Sequence, residues 1–166
     1  MKPRDRARVA VAVCGFAGVI VGIVVTAVVH GEQPARPATG QRRVIQPEKS
    51  PNTGLPYSAG ILAGNTLYIS GHLGRDPVTT NLARGGIEAE ARQSLANIHE
   101  VLRAAGMDFK DVASVTVYLT SFEDFPKFNA VYREFFPKDP PARATVQVAA
   151  LNVGARVELQ MIAVRP

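Results

Sequence analysis

Residues 87–119, IEAEARQSLANIHEVLRAAGMDFKDVASVTVYL, decide the fold, because the apolar period changes once within them. Ile87, Ala91, Leu95, Ile98, Leu102 and Ala105 recur at three- and four-residue spacing. That is the single apolar stripe of an amphipathic helix. Gly106 stops it, since glycine accepts the left-handed backbone of a helix end. From Val112 to Leu119 the residues are largely β-branched, which predicts a strand. A helix feeding a strand sets the pattern for the flanking sequence.

Upstream, Arg42–Gln46 reads as a short strand. Ala59–Ala63 and Thr66–Ser70 flank Gly64-Asn65, which is hairpin-turn chemistry. An irregular stretch from Gly74 to Gly86 follows, marked by Asp76-Pro77 and Gly85-Gly86. Downstream, Ser121 with Asp124 predicts a capping box for a second helix. Phe125, Phe128, Tyr132, Phe135 and Phe136 form its aromatic face, most simply core packing against a sheet. Pro137 to Pro141 end that helix, and Ala144–Ala149 and Arg156–Val164 read as the last strands. The order β-β-β-α-β-α-β-β predicts an α+β layer with one sheet face uncovered. Apolar residues on an uncovered face predict self-association.

The N-terminal region differs in kind. Val9–Val29 is a run of 21 residues without a charge. As a helix it would be roughly 31 Å long, matching a hydrocarbon core of about 30 Å. Lys2, Arg4, Arg6 and Arg8 precede it against Asp5 alone, so residues 1–8 are expected to stay cytoplasmic and the remainder to emerge opposite. The competing reading is a cleaved secretory signal ending near Val25-Thr26-Ala27. The expected organisation is a basic tail at 1–8, an anchor at 9–29, a Pro- and Gly-containing linker at 30–43, and a domain at 44–166. That domain would lie outside the cytoplasm, or be secreted if the segment is cleaved.

Charge and cysteine usage narrow the functions. The whole chain carries a formal +5, of which residues 1–8 hold +3. The remaining 15 basic and 13 acidic residues imply no basic face, which argues against a phosphate-backbone binder. Cys14, the single cysteine, lies inside the apolar run and permits neither an internal disulfide nor a thiolate metal cluster.

Two residues stand out chemically. Arg143 opens an apolar strand after Pro140-Pro141-Ala142, and a guanidinium there calls for an anion, its flat fork suiting a carboxylate. Glu158 sits between Val157 and Leu159, a setting that shifts a carboxyl's pKa unless its face is solvated. An Arg143–Glu158 ion pair across adjacent strands explains both equally well. Of the three histidines, only His72, after Ser70-Gly71 at a strand end, falls in a candidate site; His99 is expected at the wet edge of its helix. No spacing suggests a metal site, a phosphate loop or a serine nucleophile with its base.

Taken together, several separated motifs resemble the RidA (reactive-intermediate deaminase, YjgF-like) family. They are Pro56-Tyr57-Ser58, Tyr68-Ile69-Ser70-Gly71, Ala91 to Ile98, Phe128-Asn129-Ala130-Val131-Tyr132, Pro141 to Val146, and Val157-Glu158-Leu159. The resemblance spans about Val44 to Arg165. It implies a chorismate-mutase-like mixed sheet with two helices on one face, assembled as a homotrimer with clefts at subunit interfaces. It also implies hydrolysis of enamines and imines such as 2-aminoacrylate to 2-keto acids and ammonia, without cofactor or metal. Arg143 would then clamp the substrate carboxylate, and Glu158 would position water or shuttle a proton. Tyr57, Ser70, Gly71, Asn129 and Thr145 would line the cleft. Thr145 stands where many members have cysteine, His72 where glutamine is common, and Gln160 where a second acid often sits. The contrasting expectation is a non-catalytic trimer that binds small carboxylates. Nucleic acid is not an expected partner.

Overall fold

The computed structural model describes residues 42–48 and 56–165. The expected anchor at 9–29 lies outside them. Among the described residues no helix is long and apolar enough to cross a membrane.

The elements appear in the expected order: β1 (Arg43–Ile45), β2 (Gly60–Ala63), β3 (Thr66–Leu73), α1 (Ile87–Ala104), β4 (Val112–Leu119), α2 (Phe125–Phe135), β5 (Ala142–Gln147) and β6 (Val157–Val164). One six-stranded sheet runs β1-β2-β3-β6-β4-β5. Only the β4–β5 pair is parallel, so the sheet is mixed. The β2–β3 hairpin turns at Gly64, whose φ of 62° favours glycine.

Every apolar residue of the α1 stripe is buried. Gly106, at φ 73°, ends the helix in a Schellman arrangement. Its amide donates to the Arg103 carbonyl and that of Met107 to the Leu102 carbonyl, each at 2.9 Å. Phe128, Tyr132 and Phe136 of α2 are buried, and Phe125 and Phe135 pack at the core's margin. Both helices cover the face formed by Leu67, Ile69, Val115, Val117, Leu119, Val157, Leu159, Met161 and Ala163.

The opposite face carries an apolar row across the strands. Val44 lies opposite Ile61, Ile61 opposite Tyr68, Tyr68 opposite Ile162, and Ile162 opposite Ser114. Val44 and Tyr68 are half exposed, as expected of a sheet side that meets another copy.

Three local expectations change. β3 continues past Ser70 to Leu73, because Ser70 and Gly71 form a bulge between the Ile69 and His72 pairings with β6. A glycine there reads like a strand end but serves the bulge. β5 begins at Ala142 and ends at Gln147, two residues earlier at each end than Ala144–Ala149, because it starts as soon as the prolines end. Ser121 caps a separate 3-10 turn, Phe122–Asp124, by accepting the Glu123 amide at 3.2 Å. Asp124 instead forms a two-pronged pair with Arg156, at 2.8 and 2.7 Å, so no capping box opens α2.

Candidate active site

Strand order settles the relation between the two chemically prominent residues. β4 lies between β5 and β6, so Arg143 and Glu158 are not on adjacent strands. Arg143 aligns with Val115, which faces the helices. Glu158 aligns with Tyr118 and Leu73, between the core residues Val157 and Leu159, and faces the open side. The two therefore project from opposite faces of one sheet. An ion pair within the chain, the simplest structural reading of both residues, is ruled out by this geometry.

Around Arg143 the chain builds an aromatic cradle. The prolines that end α2 deliver β5 to the sheet edge beside it. The guanidinium carbon lies 4.6 Å from the Tyr132 ring centroid and 5.8 Å from those of Phe125 and Phe128. At such distances the ring quadrupoles hold the cation and fix its plane. Among the described residues no carboxylate comes within ion-pair distance of Arg143. Its N–H groups are left for an external anion. It borders an open cavity of about 380 Å³ lined also by Asn129, Tyr132, Arg133, Phe136, Pro140 and Pro141. Tyr132 places its hydroxyl out of solvent with no hydrogen-bond partner. Burial pushes the phenol up to about 12, against the lowering effect of the Arg143 charge. Thr145, aligned with Val117, points to the same side as Arg143 two residues further along β5.

A second group gathers on the open face. The Glu158 side chain lies over Gly71, where a Cβ on that glycine would stand 1.8 Å from Oε1. Only a residue without a side chain leaves room for the carboxyl. Burial raises the Glu158 pKa above its ordinary value, which makes it a readier proton donor than a solvated carboxyl. Ser70 donates its hydroxyl to the Ser58 carbonyl at 2.6 Å, and its amide donates to the Ala59 carbonyl at 3.0 Å. That ties the bulge to the segment carrying Tyr57, which is 58% exposed. The Ser70 proton is thus engaged, and its part is to hold this corner together.

His72 falls elsewhere. It aligns with Leu159, on the core side of the sheet, and its carbonyl accepts from Ser94 Oγ at 2.8 Å. Its Nε2 is buried without a partner. Burial lowers its pKa to about 4, against the raising effect of a hydrogen bond to the Ala59 backbone. It belongs to the α1–β3 packing and not to the Glu158 group. His99 pairs with Asp108 at 3.1 Å and stacks on Phe109, at the helix edge as expected. Among the described residues no cluster of three or more metal-ligating side chains occurs.

Two features of the site are not evident from sequence. The aromatic face of α2 predicts core packing for Tyr132, yet its ring is the platform for Arg143. Arg133 lies four residues after Asn129, on the cavity side of α2.

The two groups, a cradled arginine and a carboxyl seated on a glycine, carry the motifs on which the family resemblance rested. Residues 47–165 match the family model described as endoribonuclease L-PSP. The chain belongs to this family, that of the RidA and YjgF-like proteins. A goat protein named 2-iminobutanoate/2-iminopropanoate deaminase is 48% identical over 124 residues, covering 75% of this chain and 90% of the relative. The human protein of the same name is 44% identical over the same coverage. A solved structure of RidA from an Antarctic Psychrobacter is 42% identical with a TM-score of 0.71, covering 74% of this chain and 99% of that one. All of the RidA-like motifs fall inside the matched region.

Proposed function

We propose that the chain is a RidA-type deaminase that hydrolyses 2-imino acids and their enamine tautomers to 2-keto acids and ammonia. One observation carries this reading. Arg143 is held on aromatic faces at a cavity mouth without a protein anion, so a substrate carboxylate is the partner its fork lacks. The relatives named as deaminases, at 44–48% identity, support the same chemistry.

In the proposed reaction Arg143 and the polar groups of Asn129 and Thr145 orient the substrate carboxylate. Glu158 takes a proton from water as its oxygen bonds to the imine carbon, and passes that proton to the imine nitrogen, giving a carbinolamine. It then takes the carbinolamine hydroxyl proton and passes it to the nitrogen as the C–N bond breaks, so ammonia leaves and the carbonyl of the keto acid remains. Placement and two proton transfers through one carboxyl suffice, because the imine is already electrophilic. Since Arg143 and Glu158 face opposite ways in one protomer, the reading requires two copies. Arg143, Asn129 and Thr145 of one would meet Glu158, Gly71, Ser70 and Tyr57 of the next in a homotrimer. The apolar row on the open face supports this association. We further assign residues 9–29 to a membrane anchor, from the length of the uncharged run and the basic residues before it. Alkaline extraction of membranes tests that assignment, because a cleaved segment would leave the protein in the supernatant.

The deaminase reading is tested with imines generated in situ by an amino-acid oxidase and intercepted by semicarbazide. The protein should speed keto-acid release and suppress the semicarbazone. Arg143→Ala should abolish this effect while leaving the assembly intact, and equal rates in variant and parent would rule out the clamp.

A further inference from the structure

The cavity beside α2 holds a second guanidinium for which the deaminase reading has no use. Asn129, Tyr132, Arg133 and Phe136 recur at i, i+3, i+4 and i+7 along α2, and all four line the cavity that Arg143 borders. Arg133 is exposed, and among the described residues it has no carboxylate within ion-pair distance. The adjacent Glu134 is engaged by Arg92. Two positive charges thus border one small cavity with no anion provided for either. Phe136, Pro140 and Pro141 give the same cavity apolar lining, and Asn129 and Tyr132 its uncharged polar groups. At about 380 Å³ the space lies at the low end of the range of roughly 300–1,000 Å³ for small-molecule sites.

We propose that the site takes imines of dicarboxylic amino acids, one carboxylate on Arg143 and the side-chain carboxylate on Arg133. The proposal rests on the deaminase reading and adds the substrate class. Two guanidinium groups on one cavity that also has apolar lining match a short carbon chain bearing two carboxylates. Such a substrate is supplied by oxidation of an acidic amino acid at its α-carbon, or by elimination of a β-substituent from one. The bland alternative is that Arg133, in the last turn of α2, only complements the helix dipole from solvent. On that view it would not distinguish one substrate from another.

The test compares in-situ imines of aspartate and glutamate with those of alanine and 2-aminobutyrate, using the full chain and its Arg133→Gln variant. The readout is the ratio of kcat/KM for dicarboxylic over monocarboxylic imines. The parent should favour the dicarboxylic imines, and Arg133→Gln should lower the ratio by about tenfold, the scale of one charged hydrogen-bonded contact. Arg143→Ala should depress both classes. A ratio unchanged by Arg133→Gln overturns the proposal. Binding of succinate against propionate, followed by NMR, decides the matter without turnover. The parent should prefer succinate and Arg133→Gln should lose the preference, whereas equal binding by the parent overturns the proposal. Failure of every imine to react, with succinate preference intact, would instead sink the deaminase reading.

Discussion

Gly71 and His72 are neighbours that do opposite jobs, and each can be tested alone. Gly71 lends its missing side chain to Glu158, so Gly71→Ala drives the carboxyl from its seat. The Glu158 side chain is only partly buried and can swing away, so stability should change little. Keto-acid formation should fall on the order of a hundredfold, the low end of what a positioned acid–base group contributes. Steady-state rates and a thermal melt check both halves of that expectation, and a full-rate variant would remove Glu158 from the chemistry. His72 points into the packing beneath α1, where burial holds it neutral down to about pH 4 against an ordinary value of 6.5. In that window the unfolded chain takes up a proton that the folded one refuses. The contribution is therefore present above pH 6.5 and lost as pH falls towards 4. Replacing the ring by an amide in His72→Gln should flatten this loss of stability, read from urea unfolding at several pH values. An unaltered slope would mean that the ring is not held neutral by burial.

Among the elements, the start of β6 is tied to both helices through Arg156. Its amide donates to Glu90 of α1 at 2.8 Å. Its guanidinium meets Asp124, at the start of α2, whose side chain is only 6% exposed while that of Arg156 is 48% exposed. Gly74 packs so closely that an added Cβ would lie 2.3 Å from the Glu90 carbonyl oxygen. Arg156→Met would leave the Asp124 charge buried alone. We expect a loss on the order of 2 kcal/mol, less than for a fully buried pair because half of the arginine is already in water. Denaturant unfolding reads it directly, and Asp124→Asn in the same background should recover part of it. Both helices were legible in the sequence, because their stripes repeat over several turns and their aromatic or aliphatic faces have one partner, the sheet. The hairpin was legible for the same local reason. The length of β3 was not, since a bulge glycine and a terminal glycine look alike until the partner strand is known. Nor was the role of Asp124, which depends on a residue 32 positions away.

At the scale of the whole molecule, Arg143 and Glu158 could both be picked out from residue chemistry, and Tyr57, Ser70, Gly71, Asn129 and Thr145 through family motifs. What could not be read was the side of the sheet each would occupy. Sheet parity follows from strand order, and β4 slips between β5 and β6 only once the chain has folded. On the proposed reading that parity places Arg143 and Glu158 in two half-sites and makes assembly a condition for activity. A homotrimer closed by three equivalent contacts would complete each site from two copies. Arg143→Ala and Glu158→Gln should therefore both be inactive alone, yet complement each other in mixed trimers. Each mixed trimer contains one interface where an intact arginine meets an intact glutamate. Random assembly from equal amounts should then restore roughly a quarter of the parent keto-acid activity, by the statistics of three-fold closure. The decisive measurement is the imine hydrolysis rate of the co-refolded variants, with native mass spectrometry confirming that mixed trimers form. Recovery near a quarter is the predicted result; mixed trimers that stay as inactive as either variant alone would contradict a site shared between two copies.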